Sequence, residues 1–358
     1  MFEFDHDTLG QRVRFASGKA AENLRAEINR FDASAVMVIA TETERDIAAS
    51  VCGEIEPVLT YTDVAAHVPV EKAEKARAAA KEHGIDLLVC VGGGSTTGLA
   101  KAVALTSGLP IVAVPTTYAG SEATNVWGLT EAARKTTGVD ARVLPATVIY
   151  DATLLVTLPA ELSVASGLNG LAHSIDAMWA PRTDPINQAL AVEAIRALAG
   201  GLPAIKADPR ALHGHEQCLY GAYLSAVAFA SAGSGLHHKI CHVLGGAYDL
   251  PHAQTHAVVL PHVLAYNAPA ASEASERIAS AFGTASAVEG LASLRQNLDA
   301  PTALRNYGLQ ESELDEAADL VMPVVPASNP RPMTKESLTE LLRNAWAGTK
   351  PTPEESRP

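Results

Sequence analysis

A chain of 358 residues that is 47% hydrophobic and 19% charged can build a large core, which excludes disordered, collagen-like and coiled-coil classes. Its 27 Lys and Arg against 40 Asp and Glu leave a net charge of −13, which repels polyphosphate and argues against nucleic acid as a partner. Four scattered cysteines with no CxxC pair, an acidic amino terminus and the lack of any long apolar run predict a reduced, cytoplasmic setting without a membrane span.

The length suits two domains, and the texture divides accordingly. Residues 1–157 alternate β-branched runs with Ala-rich stretches of helical period, the pattern of βαβ units around a parallel sheet. Strands are predicted at Ala35–Ile39, Asp86–Val91, Ile111–Val114 and Val143–Tyr150, with a crossover helix at Val70–His83 stopped by Gly84. Residues 158–358 are helical in pattern, with helices predicted at Glu161–Trp179, Ile186–Ala199, Glu216–Ala232 and Ser272–Phe282. A Pro-rich, charged tail from about residue 350 is predicted to hang loose.

Two loops follow predicted strands. In LVCVGGGSTTG the strand runs into Gly92, Gly93 and Gly94, and Ser95 and Thr96 open a helix. Backbone N–H groups at such a helix start suit a phosphate, although the glycines also serve a plain tight turn. In IVAVPTTYAGSEAT a second strand runs into Thr116, Thr117 and Ser121, hydroxyls that either line a dinucleotide crevice or cap a turn.

Eight of the 12 histidines lie between His213 and His262. His238 and His242 are four apart on one helix face, and His252 follows a Gly245–Gly246 break. Asn169 and His173 form a second i, i+4 pair upstream. His173, His238, His242 and His252 together suggest metal or acid–base chemistry, whereas His213, His215, His256 and His262 read as ordinary structural histidines.

These residues, in order with the HHKICH, GGAYDLPH and NPRP segments, resemble the iron-containing, or group III, alcohol dehydrogenases, and within them a branch that reduces maleylacetate. The resemblance implies a Rossmann-like α/β amino-terminal domain and an all-α carboxyl-terminal domain, the dehydroquinate synthase-like architecture. It also implies a homodimer with a cofactor cleft. By position, Gly92–Ser95 and Thr96 would hold the pyrophosphate, with Thr116, Thr117 and Ser121 along the ribose and nicotinamide. The metal-ligand positions map onto Asn169, His173, His238 and His252. Asn169 stands where relatives carry an anionic Asp, so the expectation is no tightly bound metal. Gly98 stands where relatives commonly carry Asp. Near Thr41, the Asp that would favour NADH is missing, so NADPH is expected to be tolerated beside NADH unless Glu42 or Glu44 restores the choice.

The implied reaction is NAD(P)H-dependent reduction of the carbon–carbon double bond of maleylacetate to 3-oxoadipate in aromatic catabolism. His242 is the expected acid, with His173, His238 and His252 orienting the substrate. Asn169, Lys239, Tyr118 and Arg331 are candidate substrate contacts, the two cations for a small dicarboxylate. Competing readings are a metal-dependent alcohol or polyol dehydrogenase and a dinucleotide sensor without turnover.

Overall fold

A computed structural model describes residues 3–131 and 134–351; the expected loose tail falls, from residue 352 on, outside the described residues. The chain forms two compact units. One holds Leu9–Leu158 with Arg210–Leu219, and the other holds Pro159–Pro209, the chain from Tyr220 on and the segment before Leu9.

The first unit runs β1 (Arg12–Phe15), α1 (Ala20–Phe31), β2 (Val36–Ile39), α2 (Arg45–Cys52), β3 (Leu59–Tyr61), α3 (Val70–Glu82), β4 (Leu87–Gly92), α4 (Gly94–Ser107) and β5 (Ile111–Pro115). A β6–β7 hairpin (Val126–Glu131, Arg134–Val139) and β8 (Thr147–Tyr150) follow. Six strands make one parallel sheet in the order β1-β8-β5-β4-β2-β3. Alternate side chains of β2 and β4 go to opposite faces. Met37, Ile39, Leu88 and Cys90 pack under α3 and α4. Val36, Val38, Leu87, Val89 and Val91 pack under α1 and α2. Burial on both faces is why these strands read as unbroken apolar runs.

The α/β class is as the sequence predicts, with local differences. Residues Ala141–Val143 form a 3-10 turn capped by Asp140, so the last strand starts only at Thr147. Strand β1 has no apolar run to announce it. Its Arg14, with Arg12 and Arg30, converges on the buried Glu27 carboxylate, which also accepts from Thr147 at 2.8 Å and so ties the sheet edge to α1.

The second unit is helical: α5 (Ala160–Ala177), α6 (Pro185–Ala207), α7 (Leu212–Ala232, which starts in the first unit), α8 (Leu236–Tyr248) and α9 (His252–Asn267). Beyond them come α10 (Ser272–Phe282), α11 (Ala287–Asn297), α12 (Leu314–Val321) and α13 (Lys335–Ala347). Helix α6 runs past its expected end at Ala199 and through Pro203. From Ser163 to Ala177 helix α5 is buried all round, as a central helix should be. No described helix is long and apolar enough to cross a membrane.

Helix α9 contains Pro261, which has no N–H for the Ala257 carbonyl four residues back. The Arg295 guanidinium of α11 supplies the missing donor to Ala257 O and also donates to Pro301 O. Beside it, His262 borders a cavity of about 380 Å³ that Leu264, Leu291 and Ala292 also line. Burial, reinforced by Arg295, pushes His262 down to about 4. An unfolded imidazole takes up its proton near pH 6.5, whereas the folded one resists until about pH 4, so stability falls as pH drops through that window, by about 3 kcal/mol in all. His262→Gln should therefore flatten the fall of the denaturation midpoint between about pH 7 and pH 4; a slope identical to the parent's refutes this.

Candidate active site

In the α/β unit the chain steps from β2 to β3 on one side of β2 and then to β4 on the other, so the strand order reverses between β2 and β4. Open parallel sheets bind ligands at the carboxyl ends of strands at such a reversal. Gly92 ends β4 there with φ +154°, and a Cβ on it would lie 2.5 Å from Thr96 Oγ1 and 2.7 Å from Glu44 Oε2. Gly93 precedes α4 without any side-chain cap, which leaves the first amides of the helix for a ligand. Gly94 is exposed, and Ser95, Thr117 and Ser121 are half-buried. Gly98 faces Val68, whose Cγ2 would be 2.8 Å from an added Cβ, so α4 has no room for an Asp there.

Glu44 follows β2 and reaches into this loop cluster. It accepts from Thr116 Oγ1 at 2.7 Å, from Thr41 Oγ1 at 2.7 Å and, at 3.5 Å, from Thr96 Oγ1, so these hydroxyls face a carboxylate. Glu42 turns away to pair with Arg45 at the surface. The second loop is held from below by the buried Lys101 of α4. Its Nζ donates to Ser121 O, Thr124 O, Val126 O and Thr124 Oγ1 at 2.6–3.0 Å. Burial pulls that ammonium down to about 7 against the attraction of Glu122. Tyr118 is fully buried, with its hydroxyl 2.5 Å from His215 Nδ1.

In the helical unit, α5, α8 and α9 gather the histidines. His173 of α5 stacks on His238 of α8 with ring centres 4.8 Å apart, and Phe229 packs 4.7 Å and 4.3 Å from the two rings. His242 lies 5.9 Å from His238 and 6.3 Å from His252 of α9. The four expected histidines are thus brought together. His256, read from the sequence as structural, sits at the centre: its ring is 4.3 Å from His252 and 4.9 Å from both His237 and His238. Its Nδ1 is 2.9 Å from His237 Nε2. Burial lowers His173 to about 4 and His237 to about 3, and it lowers His238 and His256 well below 6.5, so all four are neutral near pH 7.

Asp176, one turn beyond His173, was missed altogether although its i+3 spacing puts it on the same face. Fully buried, it accepts from His238 Nδ1 at 2.8 Å and from the amides that start α8. Lys239 is half-buried and close enough to oppose the burial effect on Asp176. Arg331 is placed elsewhere. Its guanidinium covers the Tyr266 ring at 4.5 Å, and Tyr266 is fourteen helical residues beyond His252, about 21 Å along α9. That distance corrects Arg331 as a partner for a substrate held by the histidines.

The donor set fits a divalent metal. Asn169 Oδ1, His173 Nδ1, His238 Nε2 and His256 Nε2 are buried without a hydrogen-bond partner, a costly state unless something ligates them. His237, Cys241 and His256 also offer ligand atoms that all lie within 4.8 Å of one another.

Residues 10–152 match the iron-containing alcohol dehydrogenase family, and residues 163–346 match the carboxyl-terminal part of the Fe-containing alcohol dehydrogenase family. The chain is 44% identical over 352 residues to the maleylacetate reductase of Pseudomonas sp. (strain P51), covering 98% of this chain and 99% of that protein. It is 43% identical to the Burkholderia cepacia maleylacetate reductase, covering 95% and 97%. Among solved structures, an iron-containing alcohol dehydrogenase from Corynebacterium glutamicum ATCC 13032 superposes with TM-score 0.96 at 60% identity, covering 98% and 99%. The maleylacetate reductase from Rhizobium sp. strain MTP-10005 gives 0.90 at 39%, covering 98% and 100%.

These findings correct the expectation of no tightly bound metal. The family is an iron-containing one, and His237, Cys241 and His256 could hold a metal. Whatever the loss of an anion at position 169 costs, these three donors come together only in the fold. Chelator-stripped protein should be stabilised by added divalent metal, by about 3 kcal/mol at a hundredfold excess over Kd, with a matching rise in melting temperature. His256→Ala should lose most of that rise, and an equal rise in the variant would remove His256 from the metal site.

Proposed function

The chain belongs to the iron-containing alcohol dehydrogenase family, and from that premise we propose that it is an NAD(P)H-dependent oxidoreductase that reduces the carbon–carbon double bond of maleylacetate to give 3-oxoadipate. One observation carries the reading: the likeness to maleylacetate reductases runs through nearly the whole of both chains, so it takes in the glycine cradle as well as the histidine cluster. The resemblance also supports a homodimer and a place in aromatic-compound catabolism.

Maleylacetate is a dianionic enone, so its reduction needs a hydride at the carbon β to the ketone, stabilisation of charge on the ketone oxygen, and a proton at the α carbon. When bound, a reduced nicotinamide supplies the hydride and a divalent cation supplies Lewis-acid polarisation of the ketone. The uncapped amides at the start of α4 bind the pyrophosphate, while Thr117 and Ser121 lie along the ribose and nicotinamide. Glu44, aimed at the crevice between β2 and β4, accepts a ribose hydroxyl and repels a 2′-phosphate, which favours NADH over NADPH. Asn169, His173, His238, His252 and His256 supply neutral donors for the cation. His242 is half-buried at the edge of the cluster and delivers the proton to the α carbon. Lys239 offers a charge to a substrate carboxylate.

Purified protein should oxidise NADH when maleylacetate is added and yield 3-oxoadipate; turnover of simple aldehydes or ketones alone would defeat the reading. His242→Gln should lower kcat by about 10²–10⁴ with little change in the KM for NADH. Glu44→Gln should shift the ratio of kcat/KM values toward NADPH by about tenfold. An unchanged ratio would take Glu44 out of cofactor choice.

A further inference from the structure

The ligand atoms gathered around His238 are imidazole nitrogens and an amide oxygen, all without formal charge. The carboxylate that reaches them is Asp176. With side chains no more than 1% exposed, His238 Nδ1 and Asp176 Oδ2 meet at 2.8 Å. An ionised Asp176 only accepts, and against it the imidazole carries its proton on Nδ1 and leaves a lone pair on Nε2. That Nε2 is the buried atom with no partner. The same carboxylate accepts from the backbone N–H of Gly235 at 2.9 Å and from those of His237 and His238 at 3.4 Å. These bonds fix it against the first turn of α8, the turn that carries His238. Gly235 is what permits the approach, since a Cβ there would lie 2.4 Å from Asp176 Oδ1.

We propose that Asp176 is a positioning residue for the metal: it holds His238 in the tautomer and orientation that present Nε2 as a ligand. The proposal rests on the reading that this cluster holds a divalent cation. A carboxylate behind a ligating imidazole raises the basicity of the ligand and restricts its ring, and losing such a partner typically costs about 10–100-fold in metal affinity. A role confined to capping α8 would leave metal affinity alone. The substitution Asp176→Asn keeps the size and one oxygen, and because Oδ2 takes His238 Nδ1 together with the Gly235 and His238 amides, the metal affinity is the readout that separates the two roles. The Asn amide nitrogen, however, donates where His238 needs an acceptor.

The test uses the full chain stripped of metal with a chelator and titrated with Co²⁺, followed by visible absorption and by competition for affinity. Asp176→Asn should bind Co²⁺ about 10–100-fold more weakly than the parent, with an altered absorption envelope. Parent-like affinity and spectrum in the variant would overturn the proposal and leave Asp176 a cap. A parent that takes up no Co²⁺ would overturn the metal reading itself, and the proposal with it. If the variant does not fold, ¹⁵N-histidine NMR of the metal-free parent decides: a proton on His238 Nδ1 is expected, and one on Nε2 refutes the assignment.

Discussion

A carboxylate buried in a helical core costs several kcal/mol unless the protein itself satisfies it. Asp176 meets that demand with the amides that open α8 and with the His238 ring. Much of the arrangement around it follows from this. Gly235 has to be glycine, α8 has to start beside α5, and His238 has to turn its Nε2 toward His173 and His256. Burial raises Asp176 to about 7, and the N–H groups directed at it oppose that rise.

The α/β unit shows the same economy with the opposite charge. A buried ammonium, Lys101, is satisfied by three carbonyls and a hydroxyl of the segment Ser121–Val126. Because Lys101 stands on the helix that begins at the glycine loop, one side chain ties the two loops at the carboxyl ends of β4 and β5 to each other. Glu44 adds a third strand end to the set through Thr116 and Thr96. The loops of the crevice are therefore already paired to each other, an arrangement by which affinity is gained without ordering loops on binding.

Neutrality is the chemical character of the histidine cluster. Burial and mutual repulsion keep His173, His237, His238 and His256 unprotonated near pH 7, the state in which imidazole ligates metals. His242 and His252, half-buried, stand at the rim of this neutral cluster.

The sequence by itself determined what depends on local pattern. The unbroken apolar runs of β2, β4 and β5 follow from burial on both faces of a parallel sheet, and Gly92 at the end of β4 follows from a φ that other residues resist. The i, i+4 pairs Asn169/His173 and His238/His242 follow from the helical repeat. Only the tertiary structure decided which groups meet across helices. Strand β1 is held by Arg12, Arg14 and Arg30 on a buried Glu27, a pattern with no apolar signature. His256 and Cys241 have the spacing of ordinary core residues until α8 and α9 pack. Asp176 is one more acid on a helix until α8 begins beside it. Arg331 sits in a motif suggestive of carboxylate binding, yet its guanidinium covers Tyr266, near the end of α9 opposite His252. Spacing along one element is written in the chain, whereas hydrogen bonds between elements depend on packing that no single segment specifies.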